Sequence, residues 1–343
     1  MTRSIALHAA LLGIASLISL SFWTRDELPA SQRTDKVMIW EATSERLTEI
    51  GFKSKDRSVS LYARKDENGP YFEGRHESRD PLPEGHPTLG AADKGKVKKD
   101  KAKITRFIAT AGAETLAKDV APLLALRRIG RVDKKRDAEF GLDAPDGTLI
   151  FKFGSLEQSL EVGGLAPGEE DIYVRYTKTG EVYAVSRDVV NRVRYADSRL
   201  MEHALHAFKV PEESLSVRIE KGDRKRDLVP VEGKVDGFAD ASQPGKLDET
   251  AGNWMASVRR LRLTEFVEKP EKVPGASQLV ARVRYSDKGN EVGFLELYNM
   301  GPDEEGETQY LGRTEHSRWY FKLLKTSVEQ IERDLPSVLR NKN

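Results

Sequence analysis

The chain has 343 residues, of which 38% are hydrophobic and 32% are charged, so it is long enough for one large or two ordinary globular domains. Its 56 basic and 55 acidic side chains leave a formal charge of +1, which provides no long-range field that would favour nucleic acid or strongly acidic substrates. The absence of cysteine excludes disulfides, thiolate catalysis, cysteine-type zinc sites and a lipoprotein anchor.

The first predicted element is an apolar segment at 4–23, which contains no charged side chain. About 20 residues of helix cross the hydrocarbon core of a bilayer, so the segment has the length of a membrane anchor. Arg3 precedes it and Trp23 closes it, and the positive-inside rule therefore places the N-terminus in the cytoplasm and the rest of the chain outside. The alternative is a cleaved signal peptide, for which Leu28-Pro29-Ala30 is a poor cleavage site.

Short runs with period-two alternation follow the anchor and predict a meander of antiparallel strands. These runs lie at 47–52, 59–63 and 71–72. Between 76 and 103 the periodicity is lost, while three prolines and six lysines accumulate. This composition is typical of a disordered insertion, and the alternative is a lysine-rich arm for anionic lipid headgroups or polymers.

A strand at 104–110 precedes a predicted helix, for which Asp119 is the candidate N-cap. Its apolar face would consist of aliphatic side chains spaced around one side: Val120, Leu123, Leu124 and Ile129. Three arginines would gather at its C-terminal end: Arg127, Arg128 and Arg131. Arginines in that position either complement the helix dipole or bind an anion.

More strands and a closing helix complete this stretch of the chain. The strands are predicted at 149–153, 160–162, 172–176 and 182–185, and the helix carries Val189, Val190 and Val193. Beyond it, His203 and His206 lie three positions apart in a segment that reads as helical. Such a pair could share a metal ion, but no third ligand lies nearby in the sequence.

The same order of elements returns in the second half of the chain. Strands are predicted at 215–219, 228–231, 279–285, 294–298, 310–313 and 319–321. Asp248 caps a helix, and Thr326 with Glu329 forms a capping box for the last one.

Matching residues in the two halves lie at a nearly constant separation. Leu160 and Leu295 are 135 positions apart, while Tyr173 and Tyr310, like Tyr183 and Tyr320, are 137 apart. A constant offset predicts a tandem duplication, and we expect at least one tyrosine ring of each pair to be packed against the helices.

The predicted fold class is α+β, with two tandem related units that each pack an antiparallel sheet against helices, after an N-terminal transmembrane helix. The expected segments are an anchor or uncleaved signal at 1–25, a tether at 26–36, a first unit at 37–210 that contains the insertion 76–103, and a second unit at 211–343.

Four phrases of the first unit resemble the bacterial proteins grouped as domain of unknown function 4340. At 140–145, 172–175, 180–185 and 197–201 the chain reads Phe-Gly-Leu-Asp-Ala-Pro, Ile-Tyr-Val-Arg, Gly-Glu-Val-Tyr-Ala-Val and Asp-Ser-Arg-Leu-Met. The resemblance implies a membrane-tethered envelope protein, often encoded beside components of gliding-motility-type ABC transporters. It brings no catalytic residues, and the second unit lacks the Gly-Leu-Asp-x-Pro phrase.

The sequence contains no nucleophile elbow, zinc-protease motif, phosphate loop or dinucleotide fingerprint. We therefore expect no catalytic, cofactor-binding or metal-binding residues and no nucleic-acid partner. Acidic turns at 168–171 and 303–307 could hold calcium, although no regular ligand spacing accompanies them.

The expected function is that of a non-enzymatic accessory protein of an ABC-type or gliding-type envelope assembly. It would be single-pass in the bacterial inner membrane through 4–23, with its C-terminal domain in the periplasm and membrane proteins of the complex as partners. The alternatives are a cell-wall glycan-binding module and, third, an envelope hydrolase.

Overall fold

The computed structural model describes residues 36–78, 103–211, 214–234, 237–270, 272–304 and 306–340. These residues form mostly antiparallel strands, arranged in two large sheets with a few short helices against them. The predicted anchor at 4–23 and most of the predicted insertion lie outside the described residues.

The first large sheet has nine strands, and a two-stranded ribbon lies beside it. The strands of this half are β1 (Val37–Trp40), β2 (Leu47–Lys53), β3 (Arg57–Asp66), β4 (Gly69–Ser78), β5 (Lys103–Ile108), β6 (Leu123–Ala125), β7 (Arg127–Arg131), β8 (Gly147–Phe153), β9 (Leu156–Leu165), β10 (Asp171–Tyr176) and β11 (Glu181–Ser186). The helices are α1 (Gly112–Val120), α2 (Arg187–Arg194) and α3 (Ala196–Arg199). The sheet order is β5-β4-β3-β2-β8-β9-β10-β11-β7, and β1 pairs with β6.

The second large sheet has eight strands. They are β12 (Leu215–Lys221), β13 (Arg224–Pro230), β14 (Phe238–Asp240), β15 (Leu263–Val267), β16 (Leu279–Asp287), β17 (Asn290–Pro302), β18 (Thr308–Thr314) and β19 (Tyr320–Leu323), with helices α4 (Glu249–Arg259) and α5 (Lys325–Val338). Their order is β14-β13-β12-β16-β17-β18-β19-β15. Apart from β5, the first sheet follows the same order with β4, β3, β2, β8, β9, β10, β11 and β7.

The strand ladders show where the two halves correspond in register. Leu160 lies opposite Leu149 and Tyr176, and Leu295 lies opposite Val283 and Thr314, so Leu160 and Leu295 hold the same place as expected.

When the two halves are aligned on Leu160 and Leu295, both predicted tyrosine matches are wrong, because each tyrosine of the first half corresponds to a residue one position beyond the predicted partner. Because Tyr176 corresponds to Thr314, Tyr173 corresponds to Leu311. In the same way Tyr183 corresponds to Phe321, since these residues lie opposite Val174 and Gly312. A shift of one residue moves a strand side chain to the other face of the sheet, so residues of the same type in the two halves do not hold the same place.

One face of each sheet carries the core, and helices cover it. Two tryptophans form hydrogen bonds between elements that cover the core. Trp40 of β1 donates its indole N–H to the carbonyl of Val120 at the end of α1 at 3.0 Å, and Trp254 of α4 donates to the carbonyl of Ile331 of α5 at 2.9 Å. A buried indole with a hydrogen-bond partner combines a large apolar area with a satisfied polar group. The opposite faces carry ion pairs between neighbouring strands, such as Lys152 with Glu49.

A small apolar cluster covers the outer face of β10 and β11. It is formed by Phe140, Leu142, Ala166, Tyr173, Val182 and Ala184. Gly141 has φ +63°, and a Cβ there would lie 2.5 Å from the backbone nitrogen of Gly164. Only glycine fits that conformation and that distance. The Phe-Gly-Leu phrase therefore folds back over the sheet, and Asp137 just before it accepts a hydrogen bond from Arg175.

The predicted helix from Asp119 is wrong, because α1 ends at Val120 where that helix was expected to begin. Pro122 has no backbone N–H and disfavours helical geometry in the residue before it. Two of the four buried side chains of α1 are alanines: the four are Ala113, Leu116, Ala117 and Val120. The three arginines expected at a helix end instead lie in the edge strand β7.

Two further boundaries differ from the prediction. The last helix begins at Lys325 without a side-chain cap, so Thr326 and Glu329 do not form its capping box. The insertion is shorter than 76–103, because β4 extends through Ser78, which lies opposite Lys103 of β5. The Asp248 cap is confirmed, since its side chain accepts a hydrogen bond from the N–H of Ala251 at 3.1 Å.

Candidate binding cleft between the two sheets

The two large sheets meet where their edge strands β5 and β15 lie side by side. Arg106 of β5 bonds to Glu73 in its own sheet and to Glu268 from the other half, and its guanidinium lies 5.2 Å from the ring centroid of Trp319. Such contacts join the halves through ion pairs and a cation–π interaction as well as apolar packing.

A second arginine crosses the junction in the opposite direction. Arg318, between β18 and β19, pairs with Asp66 and donates to the carbonyl of Asn68 at 3.3 Å. Its guanidinium lies 4.4 Å from the ring centroid of Tyr71. The hairpin of β3 and β4 is thereby held against the hairpin of β18 and β19.

A cleft of about 350 Å³ opens beside this junction. Its apolar walls come from both halves of the chain: Tyr71, Phe72 and Ile108 from the first, and Leu263, Phe266 and Phe321 from the second. Its polar lining includes Glu114 near the start of α1, Glu202 after α3, and Glu315 and His316 after β18. A cavity with aromatic walls and a few converging polar groups is the usual form of a ligand site.

The segment that connects the two halves forms one side of the cleft. Glu315 accepts hydrogen bonds from His206 Nδ1 at 3.0 Å, from the N–H of Phe294 at 2.9 Å and from the N–H of Ala207 at 3.4 Å. A Cβ on Gly293 would lie 2.7 Å from Glu315 Oε2 and from Phe208, so glycine is needed for this close approach. The carboxylate of Glu315 therefore fastens the connector to the second sheet.

The prediction of a helix that carries His203 and His206 is wrong, because the connector has no helical turn there. The Glu202 side chain accepts the N–H of Ala204 at 2.8 Å, and Glu315 holds His206 and Ala207. These bonds to side chains outweigh the helical propensity of the alanines. His206 serves as a partner of Glu315 and packs 4.8 Å from the ring of Tyr285.

Carboxylates dominate the charge of the cleft. Glu114, Glu202 and Glu315 line it, and the guanidinium of Arg318 is already paired with Asp66. His316 Nε2 lies 3.4 Å from Glu202. The lining therefore carries more carboxylates than guanidinium or ammonium groups, which favours a cationic group in a ligand.

Three carboxyl groups link the stability of the fold to pH. Burial raises the pKa of Glu315, but hydrogen bonds from His206 and the backbone outweigh it and the net pKa is lowered. The pKa of Glu73 is lowered in the same way, because bonds from Arg106 and Arg64 outweigh burial. Hydrogen bonds from Ser242 and Arg226 lower the pKa of Asp240 to about 2.

We predict that the free energy of unfolding falls as the pH is lowered from about 5 to about 3. A carboxyl group whose pKa is lower in the folded state stabilises that state above its unfolded pKa, and this stability is lost as pH falls through the folded value. Urea unfolding at several pH values in this range measures the slope of the free energy of unfolding against pH. Glu315→Gln should reduce that slope. Glu157→Gln, at an exposed position, is the control, and equal slopes for both variants would contradict the role of Glu315.

The predicted acidic turns lie in corresponding hairpins, β9–β10 and β17–β18, and their groups make local bonds. Asp303 accepts the N–H of Glu307 at 2.9 Å and the side-chain amide of Gln309 at 3.0 Å. Glu307 pairs with Lys325 at 2.7 Å, and the carbonyl of Glu169 accepts a bond from Arg187. Within the described ranges, no group of three or more histidine, aspartate or glutamate side chains is arranged to hold a metal ion.

The expectation for the tyrosines is confirmed, because one ring of each predicted pair, Tyr310 and Tyr183, lies in the main core cluster with the buried residues of the helices. Tyr173, Tyr183 and Tyr310 are 8%, 5% and 4% exposed, and the hydroxyl of Tyr310 donates to Glu332 of α5 at 3.0 Å. These rings therefore do not form the open aromatic row that a glycan-binding platform would need.

Sequence reasoning missed the cleft because its lining comes from distant parts of the chain that carry no shared motif.

In the part of the chain that the structure describes, no helix has the length and hydropathy to span a bilayer. Comparisons with protein-family models, with curated proteins and with solved structures found no match to this chain. The resemblance to the domain of unknown function 4340 rests on the four phrases of the first half.

Proposed function

We propose that the chain is a membrane-anchored accessory protein of the bacterial envelope, and that its cleft binds a basic, partly apolar segment of a partner protein. The observation that supports this proposal is the cleft itself, because both sheets contribute apolar residues to its walls and three carboxylates line it. Junctions between domains are preferred places for binding sites.

The apolar walls of the cleft suit the apolar side chains of such a segment, and its carboxylates suit the basic side chains. Phe266 and Phe321 offer apolar surface for an aliphatic or aromatic side chain, while Glu114 and Glu202 lie where a lysine or arginine would be neutralised. Glu114 is exposed at the first turn of α1, so a basic side chain can reach it without displacing a core residue. These carboxylates would repel an acidic segment, and a neutral polar segment would gain no charge attraction from them.

The proposed organisation follows from the sequence and from the strand order. Two related units at 37–210 and 211–343 would derive from a duplication, which the common order of their strands supports. The apolar segment 4–23 would anchor them to the inner membrane with the units in the periplasm. Anchoring confines protein and partner to the same surface, so a weak interface gives high occupancy. The family resemblance points to membrane subunits of an ABC-type transporter as partners and to a role without catalysis.

Site-specific photo-crosslinking in native membranes tests this function. A photoreactive amino acid replaces Ala111 or Ala207, two exposed residues of the cleft lining, and captured proteins are identified by mass spectrometry. The matched controls are two exposed residues of the first sheet, Glu157 near the start of β9 and Lys178 in the turn after β10. We expect both cleft positions to capture the same envelope membrane protein, and neither control position to do so.

A charge-reversal pair tests the chemistry of the cleft. Glu114→Lys with Glu202→Lys should reduce capture by roughly tenfold or more, as expected for the loss of about 1.4 kcal/mol or more of binding free energy. Glu157→Lys should leave capture unchanged. Capture of the same protein from the control positions, or no effect of the charge reversal, would overturn the assignment of the cleft.

A further inference from the structure

We propose that the ribbon of β1 and β6 rests on the membrane surface, with the side chains of Met38 and Leu124 in the interfacial layer of the bilayer. This inference rests on the proposed anchor at 4–23. Met38 is 51% exposed and Leu124 is 37% exposed, and they lie opposite each other across the ribbon. The pair is therefore one continuous apolar projection, and it makes no contribution to the buried core.

The projection is held on a rigid base. Trp40 in the same strand is 5% exposed, donates to the carbonyl of Val120 and lies 5.3 Å from the ring of Phe151. Leu123 and Ala125, on either side of Leu124, are 3% and 0% exposed. Because these neighbours are fixed in the core, Met38 and Leu124 cannot turn inward without disrupting the packing of Trp40.

Basic side chains lie at one end of the ribbon. Lys36 directly precedes β1 and Arg127 follows β6 by two positions, and the antiparallel pairing of Val37 with Ala125 places both at the same end. Both side chains are exposed. Apolar side chains flanked by lysine or arginine are the arrangement that an anionic bilayer surface attracts, at about 1 kcal/mol for each basic residue.

The path of the chain identifies the bilayer as the occupant. β1 is the first described strand, and only 13 residues separate Val37 from Trp23 at the end of the apolar segment. Even fully extended, the 14 steps from Trp23 to Val37 reach no more than about 50 Å, so an anchor at 4–23 keeps the ribbon near the surface. Of the described residues, the ribbon is the part that the chain reaches first from the anchor.

This placement also determines the position of the cleft. The C-terminal end of α1 holds Trp40 through Val120, while Glu114 and the preceding Ala111 line the cleft at its other end. Nine residues of helix span about 13 Å, so α1 acts as a spacer between the ribbon and the cleft. Because the cleft lies within about one helix length of the ribbon, a ribbon on the bilayer keeps the cleft within reach of the short external loops of a membrane protein.

Spin labels at single cysteines test the inference, because the natural chain has no cysteine that would need to be removed. Met38→Cys and Leu124→Cys are labelled in the full chain, in nanodiscs of phosphatidylcholine and phosphatidylglycerol. The controls are Glu157→Cys and Lys178→Cys. Power saturation with oxygen, which concentrates in lipid, and with a nickel chelate, which remains in water, gives the relative depth of each label.

We expect both ribbon labels to show an oxygen-to-nickel accessibility ratio several-fold above that of the controls. Equal ratios at all four positions in an incorporated chain would overturn the membrane contact and leave the proposed function intact. Shielding of the ribbon labels from both reagents would also overturn it, since the ribbon would then be covered by protein, either residues 24–35 or a second copy. Failure of the chain to incorporate at all would instead refute the anchor and with it the proposed function.

Discussion

Replacement of Arg226 by alanine is expected to lower the free energy of unfolding by about 3–5 kcal/mol. The side chain is 4% exposed and donates three hydrogen bonds: to Asp240 at 2.9 Å, to Asp248 at 2.7 Å and to the carbonyl of Val338 at 2.7 Å. It thereby joins β13, β14, the N-cap of α4 and the C-terminal end of α5. Without the guanidinium, the buried carboxylate of Asp248 loses the hydrogen bond and the positive charge of Arg226.

The neighbouring strand offers a matched control for this substitution. Arg218 of β12 forms a two-bond pair with Asp227, at 2.6 and 3.1 Å, but its side chain is 46% exposed. Exposed pairs contribute about 1 kcal/mol or less, so Arg218→Ala should change the free energy of unfolding little. Urea unfolding of both variants gives the comparison. Similar losses at the two positions would show that burial does not determine the contribution of these pairs.

The second large effect is expected at Phe107, whose replacement by alanine should cost about 3–5 kcal/mol. Phe107 of β5 is 0% exposed, and its ring covers Gly74 of the neighbouring strand. A Cβ on Gly74 would lie 2.1 Å from the ring. The substitution therefore leaves a large cavity beside the β4–β5 ladder. Ile104→Ala is the control in the same strand, because Ile104 is 48% exposed and its loss should change stability by only about 0.5 kcal/mol.

A double variant at Phe107 and Gly74 distinguishes loss of the contact between the Phe107 ring and Gly74 from an unspecific destabilisation of β5. Gly74→Ala alone should cost about 1–3 kcal/mol, since the added methyl group pushes the ring out of place. In the Phe107→Ala background the same methyl group meets open space, so the double variant should lose less than the sum of the single losses. Additive losses, measured by urea unfolding, would show that the ring does not rest on Gly74.

Regular strands could be predicted from the sequence because their periodicity is local. The alternation in β8 to β11 reflects residues that face the core and residues that face outward, and the Asp248 cap needs only neighbours three residues away. The register between the halves could not be predicted, because the bulges that shift it lie in the pairing of strands. The position of α1 was missed because alanines form much of its buried face.

The cleft could not be predicted for a related reason. No single segment of its lining has an unusual composition, and the hairpin with Tyr71 is more than 240 residues from the loop with Arg318 that meets it. What joins them is the lateral contact of β5 and β15, and edge contacts between sheets leave no periodic signal in the sequence. Glu315 likewise reads as an ordinary surface residue until its bonds to His206 and Phe294 are seen.

The strand β5 has no counterpart among the described strands of the second sheet, and this difference makes the free edges of the two sheets unlike. In the first half β5 provides the edge that contacts β15, whereas the second sheet ends at β14, which has only three residues. At the opposite edge of the first sheet, β7 presents arginines where β15 carries Leu263 and Phe266. The contact that joins the two halves therefore uses an edge that the described strands of the second sheet do not offer again, so a neighbouring molecule would meet a different surface at each free edge.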